Sequence, residues 1–324
     1  FSMGGAGAWH LGAHHPDAVA SVNPGAGFVD VKNYQKLTDK LDTIPWYEQR
    51  LWTMYDPLAC PINLINSTLV AYSGEDDAQK AAADLMEAAL ERDGVKMTHI
   101  IGPKTGHRYE PGAKVIVAKL VDEATNRGIK HQPAKVTLVT HTLKWNKAHW
   151  VTIDRLKEHW KEARIDAERT GRGVNITTRN IAALSLDLPN GTPVRIDGKE
   201  VKSGARMPYS FTRLDENWIG TELTSPCSSL NKRHNLQGPI DDAFMDSFIM
   251  VRPTGKPMSS TNGKWVLSEL SDAIFHWRRF FRGKARVKND SALSDADIKN
   301  NNLILWGDPS SNEILARIAD RLPI

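Results

Sequence analysis

The sequence predicts an α/β chain in three stretches. These are a partial parallel sheet with its helices over residues 1–130, a mostly antiparallel β module over 131–237, and a small α/β segment over 238–324. Three observations lead there. STLVAYSGEDD (67–77) and VKMTHIIG (95–102) are apolar, β-rich runs, each followed by a helical pattern, which is the rhythm of a parallel sheet. Beyond KHQPAK (130–135), VTLVTHTLKW, HWVTIDRL, NITTRNIAALSLDL and PVRIDGKEV are Thr/Val/Ile-rich runs between Gly, Asn and Pro turns. DSFIMVRP (246–253), KWVLSELSDAIFHWRRFF (264–281), NNLILWGDP (301–309) and SNEILARIAD (311–320) then restore strand–helix alternation.

Taken in order, FSMGGAGAWHLGAHHPD opens on a helix that begins just after Ser2, with Trp9 and Leu11 as its bulky apolar positions. His15-Pro16 ends it, because proline disfavours helical backbone in the residue before it. AVASVNPGAG (18–27) reads as a short buried strand, and PGAG, lacking the Lys-Ser/Thr of a phosphate loop, as the turn after it. Residues 28–66 form an excursion with aromatic helical pieces such as PWYEQRLWTMYD (45–56). AQKAAADLMEAALERDG (78–94) is a strong helix with Leu85, Ala88 and Ala89 on one face and Gly94 as its stop. AKVIVAKLVDEATNRG (113–128) is another.

Composition narrows the function. With 324 residues, 40% hydrophobic and 25% charged, the chain is long enough for two domains and ordinary for a globular protein. A formal charge of +4 points to no nucleic-acid partner, and WRRFFRGKARVK (277–288) reads as a helix end whose cations meet the negative end of the dipole. No apolar run reaches the ~18 residues of a membrane span. Cys60 and Cys227 stand too far apart in sequence for a zinc motif, and permit one bridge or two free thiols. His10, His14 and His15 invite a metal, but no partner set accompanies them, so neither metal nor organic cofactor is expected. Trp145, Trp150, Trp160 and Trp218 suit a sugar platform or, better, a core. Acids in GPIDDAF (238–244) and WGDP (306–309) have no nucleophile beside them.

Ser2, Asp77 and His107 carry the chemistry. Ser2 stands at the head of a helix inside F-S-M-G-G, with Gly4 as the second glycine of a G-x-S-x-G elbow, where bulky neighbours would clash. Asp77, or its neighbour Asp76, closes the strand at 68–73 through S-G-E-D-D, and His107 sits in the loop G-P-K-T-G-H-R-Y after the next strand. The order serine, acid, histidine, with one helix and one strand between the last two, is that of α/β hydrolases. Ser2 and the two acids could equally be plain helix caps, His107 a surface residue and Glu75 a solvated turn residue.

These motifs resemble the catalytic half of an α/β hydrolase, most of all the prolyl oligopeptidase family of serine peptidases and its esterase-like relatives. F-S-M-G-G matches the nucleophile turn, S-G-E-D-D the acid turn, and G-H-R-Y the histidine loop, over residues 1–128. The resemblance implies a partial α/β-hydrolase sheet. It also implies Ser2 as nucleophile, His107 as general base and acid, Asp77 (by its distance from Gly74) as the orienter of His107, and Met3 as one oxyanion N–H. It implies a peptide substrate, or an ester such as a carbohydrate-linked one; a non-catalytic binding protein on the same fold is the rival from another class. The elbow's first glycine would precede Phe1. The strand feeding it and the loop that gives a second oxyanion donor do not occur in the sequence. The expectation is therefore an N-terminally incomplete copy of a longer hydrolase, nearly inactive alone, with no indication of compartment or oligomeric state.

Overall fold

The computed structural model describes residues 1–202, 207–221 and 231–322, and Cys227 lies outside them. Two compact units emerge, Phe1–His234 and Asn235–Ile324. The chain is a mixed α/β protein with several sheets.

The first unit starts with α1 (Met3–His14), β1 (Ser21–Val22), α2 (Val31–Tyr34) and α3 (Trp46–Trp52). Then come β2 (Thr68–Gly74), α4 (Lys80–Glu91), β3 (Thr98–Gly102) and α5 (Pro111–Arg127). β1, β2 and β3 lie side by side and all parallel, as alternation with helices requires. Trp9 and Ala13 of α1 pack with Met86 and Leu90 of α4 on one side of this sheet; Ala113 and Val117 of α5 pack with Tyr72 on the other. Leu11, by contrast, is 56% exposed. On α4 the buried positions are Ala82, Ala83, Met86, Ala89 and Leu90; of the face expected through Leu85, Ala88 and Ala89, Ala89 is buried, Leu85 packs half-buried against the same core, and Ala88 faces solvent. Alanine is a poor pointer, since it suits either face of a helix. Gly94 ends the helix as expected, at φ +71°.

β4 (Lys135–Thr140), β5 (Lys147–Ala148), β6 (Val151–Leu156), β7 (Ala163–Thr170), β8 (Gly173–Arg179) and β9 (Ile181–Leu186) follow. They are joined by β10 (Val194–Ile196), β11 (Lys199–Val201), β12 (Tyr209–Leu214) and β13 (Asn217–Thr221). They form two five-stranded sheets, β11-β10-β8-β7-β4 and β13-β12-β9-β6-β5. Every pairing is antiparallel except β8 with β10. Leu138, Ile165 and Ile176 from one sheet meet Ile153, Leu184 and Phe211 from the other in a single core, which makes this a β-sandwich. Trp150 and Trp218 are buried there, with Trp150 donating to Pro133 O (2.9 Å) and Trp218 to Asp197 Oδ2 (2.9 Å).

An edge strand leaves backbone groups unpaired, and β4 solves this with side chains. Asn63 donates to Val139 O and accepts from Val139 N (2.9 and 2.7 Å), and Asn66 donates to Thr137 O (2.7 Å). These two asparagines tie the sandwich to the 3₁₀ turn that leads into β2.

The second unit has β14 (Phe248–Arg252), α6 (Ser260–Phe281), β15 (Val287–Asn289), α7 (Asp295–Asn300), β16 (Asn302–Leu305) and α8 (Glu313–Ile318). β14 is central between β15 and β16, and both pairings are parallel. Phe248, Met250 and Leu270 are its buried centre. β15 and α7 were not anticipated, being only three and six residues long. The basic run at 277–288 does close a helix, which ends at Phe281 with Arg282 in the left-handed region.

Candidate active site

The turn into α1 is unusual in its backbone. Ser2 has φ 57° and ψ −123°, a conformation that costs a non-glycine residue energy and persists only where the surroundings hold it. Phe1 O accepts from Gly4 N (3.0 Å), and Ser2 N donates to Gly25 O (2.8 Å), so the turn is clamped from both sides. A helix-capping serine keeps extended backbone and accepts from an orphan N–H. Ser2 does neither: its side chain makes no capping bond. Met3, as the first helical residue, has no acceptor for its N–H within the helix.

Small residues beneath the turn matter, but not where the motif suggested. A Cβ on Gly4 would meet nothing within 4 Å, whereas one on Gly5 would lie 2.3 Å from Gly25 O. Gly5 is therefore the residue that lets the helix approach the 24–27 turn, and the expected crowding at Gly4 is absent. PGAG is more than a post-strand turn: Ala26 N bonds to Tyr72 O (3.0 Å), and Gly27, at φ +100°, runs against Ala6 N.

Asp77 and His107 come together. His107 Nδ1 lies 2.8 Å from Asp77 Oδ2, while Asp77 Oδ1 accepts from Gln79 N (2.9 Å). The carboxylate is almost wholly buried, and the imidazole is 42% exposed on the side chain. This one-sided bond orients the ring and leaves Nε2 outward. Asp76 is exposed, and its backbone N–H donates to Thr105 O (3.0 Å). Glu75, unassigned from sequence, accepts from Lys104 N (2.7 Å), and so ties the acid turn to the histidine loop. Gly74 permits the same approach, since a Cβ there would lie 2.3 Å from both Thr105 O and Gly106 O.

The serine turn meets the histidine loop through Phe1, whose ring lies 4.8 Å from the His107 imidazole and 5.1 Å from Tyr109. Among the described residues, no hydrogen bond joins Ser2 Oγ to His107. Tyr109 stacks on Tyr72 (4.2 Å), and Tyr72 OH bridges Arg108 O and Glu110 N at 2.8 Å each, which fixes the loop to the sheet. Burial, with Tyr72 adding to it, raises the Tyr109 phenol above its ordinary value. Gln79 completes the frame by accepting from Gly27 N (2.9 Å). Sequence reading missed Phe1, Tyr72, Tyr109 and Gln79; only Gln79, two residues past Asp77, carried a local hint.

The three histidines of α1 and its end do not assemble a metal site. Their rings gather around Trp145, and His10 and His14 turn Nδ1 to the carbonyls of Tyr55 and His10 (3.0 Å each). Burial and the neighbouring His10 push His14 down to about 3. Asp84, Glu87 and His99 are the described group whose ligand atoms converge, within 4.8 Å of one another. His99 there also holds Ser73 Oγ (3.0 Å), and Asp84 is paired with Lys80 (2.6 Å). Cys60 is a buried free thiol, pushed up to about 12 chiefly by burial. No described helix is long and apolar enough to cross a membrane.

No protein-family model matches the chain, and no curated protein matches it. Among solved structures it is similar to an S-formylglutathione hydrolase from Staphylococcus aureus, at 16% identity and a TM-score of 0.27, covering 38% of this chain and 52% of that one. It is also similar to a ferulic acid esterase, at 18% identity and a TM-score of 0.26, covering 38% and 48%. The chain thus spans about half the length of these structures, and at such TM-scores the likeness carries no argument about what it does.

Proposed function

We propose that the region around Ser2 is a serine acyl-hydrolase site in an α/β-hydrolase-like sheet. Ser2 is the nucleophile, His107 the general base and then acid, Asp77 the residue that orients His107, and Met3 N–H one oxyanion donor. The observation that carries this reading is the 2.8 Å bond between Asp77 and His107, which reserves Nε2 for proton transfer. The clamped positive-φ backbone of Ser2 supports it.

The chemistry then follows from general acyl transfer. A serine hydroxyl is a weak nucleophile until an imidazole takes its proton. As Oγ bonds to the carbonyl carbon, its proton passes to His107 Nε2, and Asp77 stabilises the imidazolium without itself being protonated. Met3 N–H donates to the developing oxyanion, a contribution of ~3 kcal/mol for such a donor. The carbonyl re-forms as the leaving group departs with the proton from His107. Water, deprotonated by the same imidazole, then attacks the acyl-enzyme and releases the acid and Ser2.

The finer reading is hydrolysis of peptide bonds, by the resemblance of the three motifs to prolyl oligopeptidases; carboxylesters ask for the same residues and a better leaving group. The test is labelling of the protein at its full native length with a fluorophosphonate probe. Labelling that Ser2→Ala abolishes is the expected result; absence of labelling, or labelling that survives Ser2→Ala, overturns the reading in favour of a binding protein. A matched panel of peptide and ester substrates then assigns the scissile bond.

A further inference from the structure

A cleft of about 390 Å³ opens beside the serine turn. One wall is the outer face of α1, where Met3, Gly7, His10 and Leu11 follow one another at helical spacing. The other is made by Phe28–Val31 and Tyr55–Pro57, which Leu58 N holds together through Val29 O (3.1 Å). Both walls are anchored at the turn itself: Met3 follows Ser2 directly, and Gly27, next to Phe28, packs on Ser2 O and Ala6 N.

The lining is mostly apolar and carries two acids, Asp30 and Asp56. Asp56 Oδ1 accepts from Val31 N (3.1 Å), and Oδ2 has no protein partner among the described residues. Asp30, the other acid on the lining, accepts the backbone N–H and the side-chain amide of Asn33, both at Oδ2. Burial pushes the Asp56 carboxyl up to about 7, and Asp30 nearby acts in the same direction. A carboxylate in such surroundings is costly unless a cation meets it. The one basic side chain on the lining, His10, has its Nδ1 on Tyr55 O.

Resting on the serine-hydrolase reading, we propose that this cleft receives the side chain of the substrate, and that its occupant has an apolar stem and a cationic tip. The stem, as in lysine or arginine, lies along α1 between Leu11 and Phe28, and the tip donates to Asp56 Oδ2. The site would then act on peptides or esters of a basic residue.

Binding tests this without requiring turnover. Nα-acetyl-lysine methylamide and its uncharged isostere, the methylamide of Nα-acetyl-2-aminoheptanoic acid, are titrated by calorimetry against the full chain, its Ser2→Ala form, and Asp56→Asn. One charge-assisted hydrogen bond predicts at least ~10-fold tighter binding of the lysine amide, in the presence or absence of the Ser2 hydroxyl. Asp56→Asn should reduce that ratio to about one. Leu11→Trp, at an exposed position on the opposite wall, should weaken both amides by filling the cleft. Equal affinity for the two amides, or a lysine preference that survives Asp56→Asn, overturns the proposal. Lysine-selective binding without Ser2-dependent fluorophosphonate labelling leaves the cleft in place and overturns the hydrolase reading instead.

Discussion

Residues 1–128 and the sandwich at 135–221 belong to one compact unit, yet they hold together by different means. Around Ser2 and His107 the main chain itself is in contact. Gly5 touches the carbonyl of Gly25, Gly74 those of Thr105 and Gly106, and Gly102 the Tyr72 hydroxyl. In the sandwich, two sheets stand apart and fill the space between them with Leu138, Ile153, Ile165, Leu184 and Phe211. Its glycines at 171, 191 and 198 face open space, while Gly173 lies against Pro193 O. The first construction positions a few polar atoms closely and leaves no room for an added methyl group at Gly5 or Gly74. The second supplies buried apolar volume but brings no nucleophile, base and acid together.

That contrast can be broken most sharply at Ser2. Ser2→Ala should lower hydrolysis or probe labelling by at least ~10³-fold while leaving circular dichroism and melting unchanged, because the hydroxyl makes no capping bond. The mirror experiment is Phe211→Ala, fully buried in the sandwich, which should cost ~3–5 kcal/mol in denaturant unfolding. Below the transition, labelling at Ser2 should persist; loss of labelling in folded protein would erase the distinction between the two regions. Smaller again is Gly74→Ala, expected to cost ~1–3 kcal/mol and, by separating the acid turn from the histidine loop, to depress labelling. Gly171→Ala in the sandwich should stay within ~0.5 kcal/mol of the parent. Comparable losses from both would mean that close backbone approach is not what sets the first region apart.

A separate effect, read against pH, is expected at Asp56. Its folded-state value is raised to about 7 by burial, so the folded chain favours the protonated form. The unfolded value is ~3.9, and stability is therefore lost as pH rises from there through about 7. Asp56→Asn keeps an acceptor for Val31 N and removes the charge. It should raise the melting temperature at about pH 8 and leave it nearly unchanged at about pH 4. An equal shift at both would show that the carboxylate carries no burial cost.

Much of this architecture was legible from residue pattern alone. The texture change at 130–135 separated two kinds of sheet, because alternating strands and strand–helix units have different hydrophobic periods. Ser2, Asp77 and His107 stood out because each lies at the end of a periodic element, in a turn or loop outside the apolar pattern. Other features had no local signature. Asn63 and Asn66 look like turn residues in sequence, yet their amides complete the edge of β4, some 70 positions away. PGAG looked like a simple turn and proved to be the shelf under the serine. The Trp residues of the β module were ambiguous because an indole suits a core and a sugar platform equally.

By itself, the sequence determined most of the longer strands and helices, where the parallel region yields to the antiparallel one, and which three side chains are candidates for acyl transfer. Periodicity and turn chemistry are properties of neighbours along the chain, and they survive without any knowledge of the fold. Tertiary structure alone decided that Gly5 rather than Gly4 is the tight glycine, that Phe1 and Gln79 frame the site, and that Asp56 sits in a cleft beside Ser2. Each of those outcomes depends on two stretches of backbone distant in sequence approaching within a few ångströms, and no local rule contains that distance.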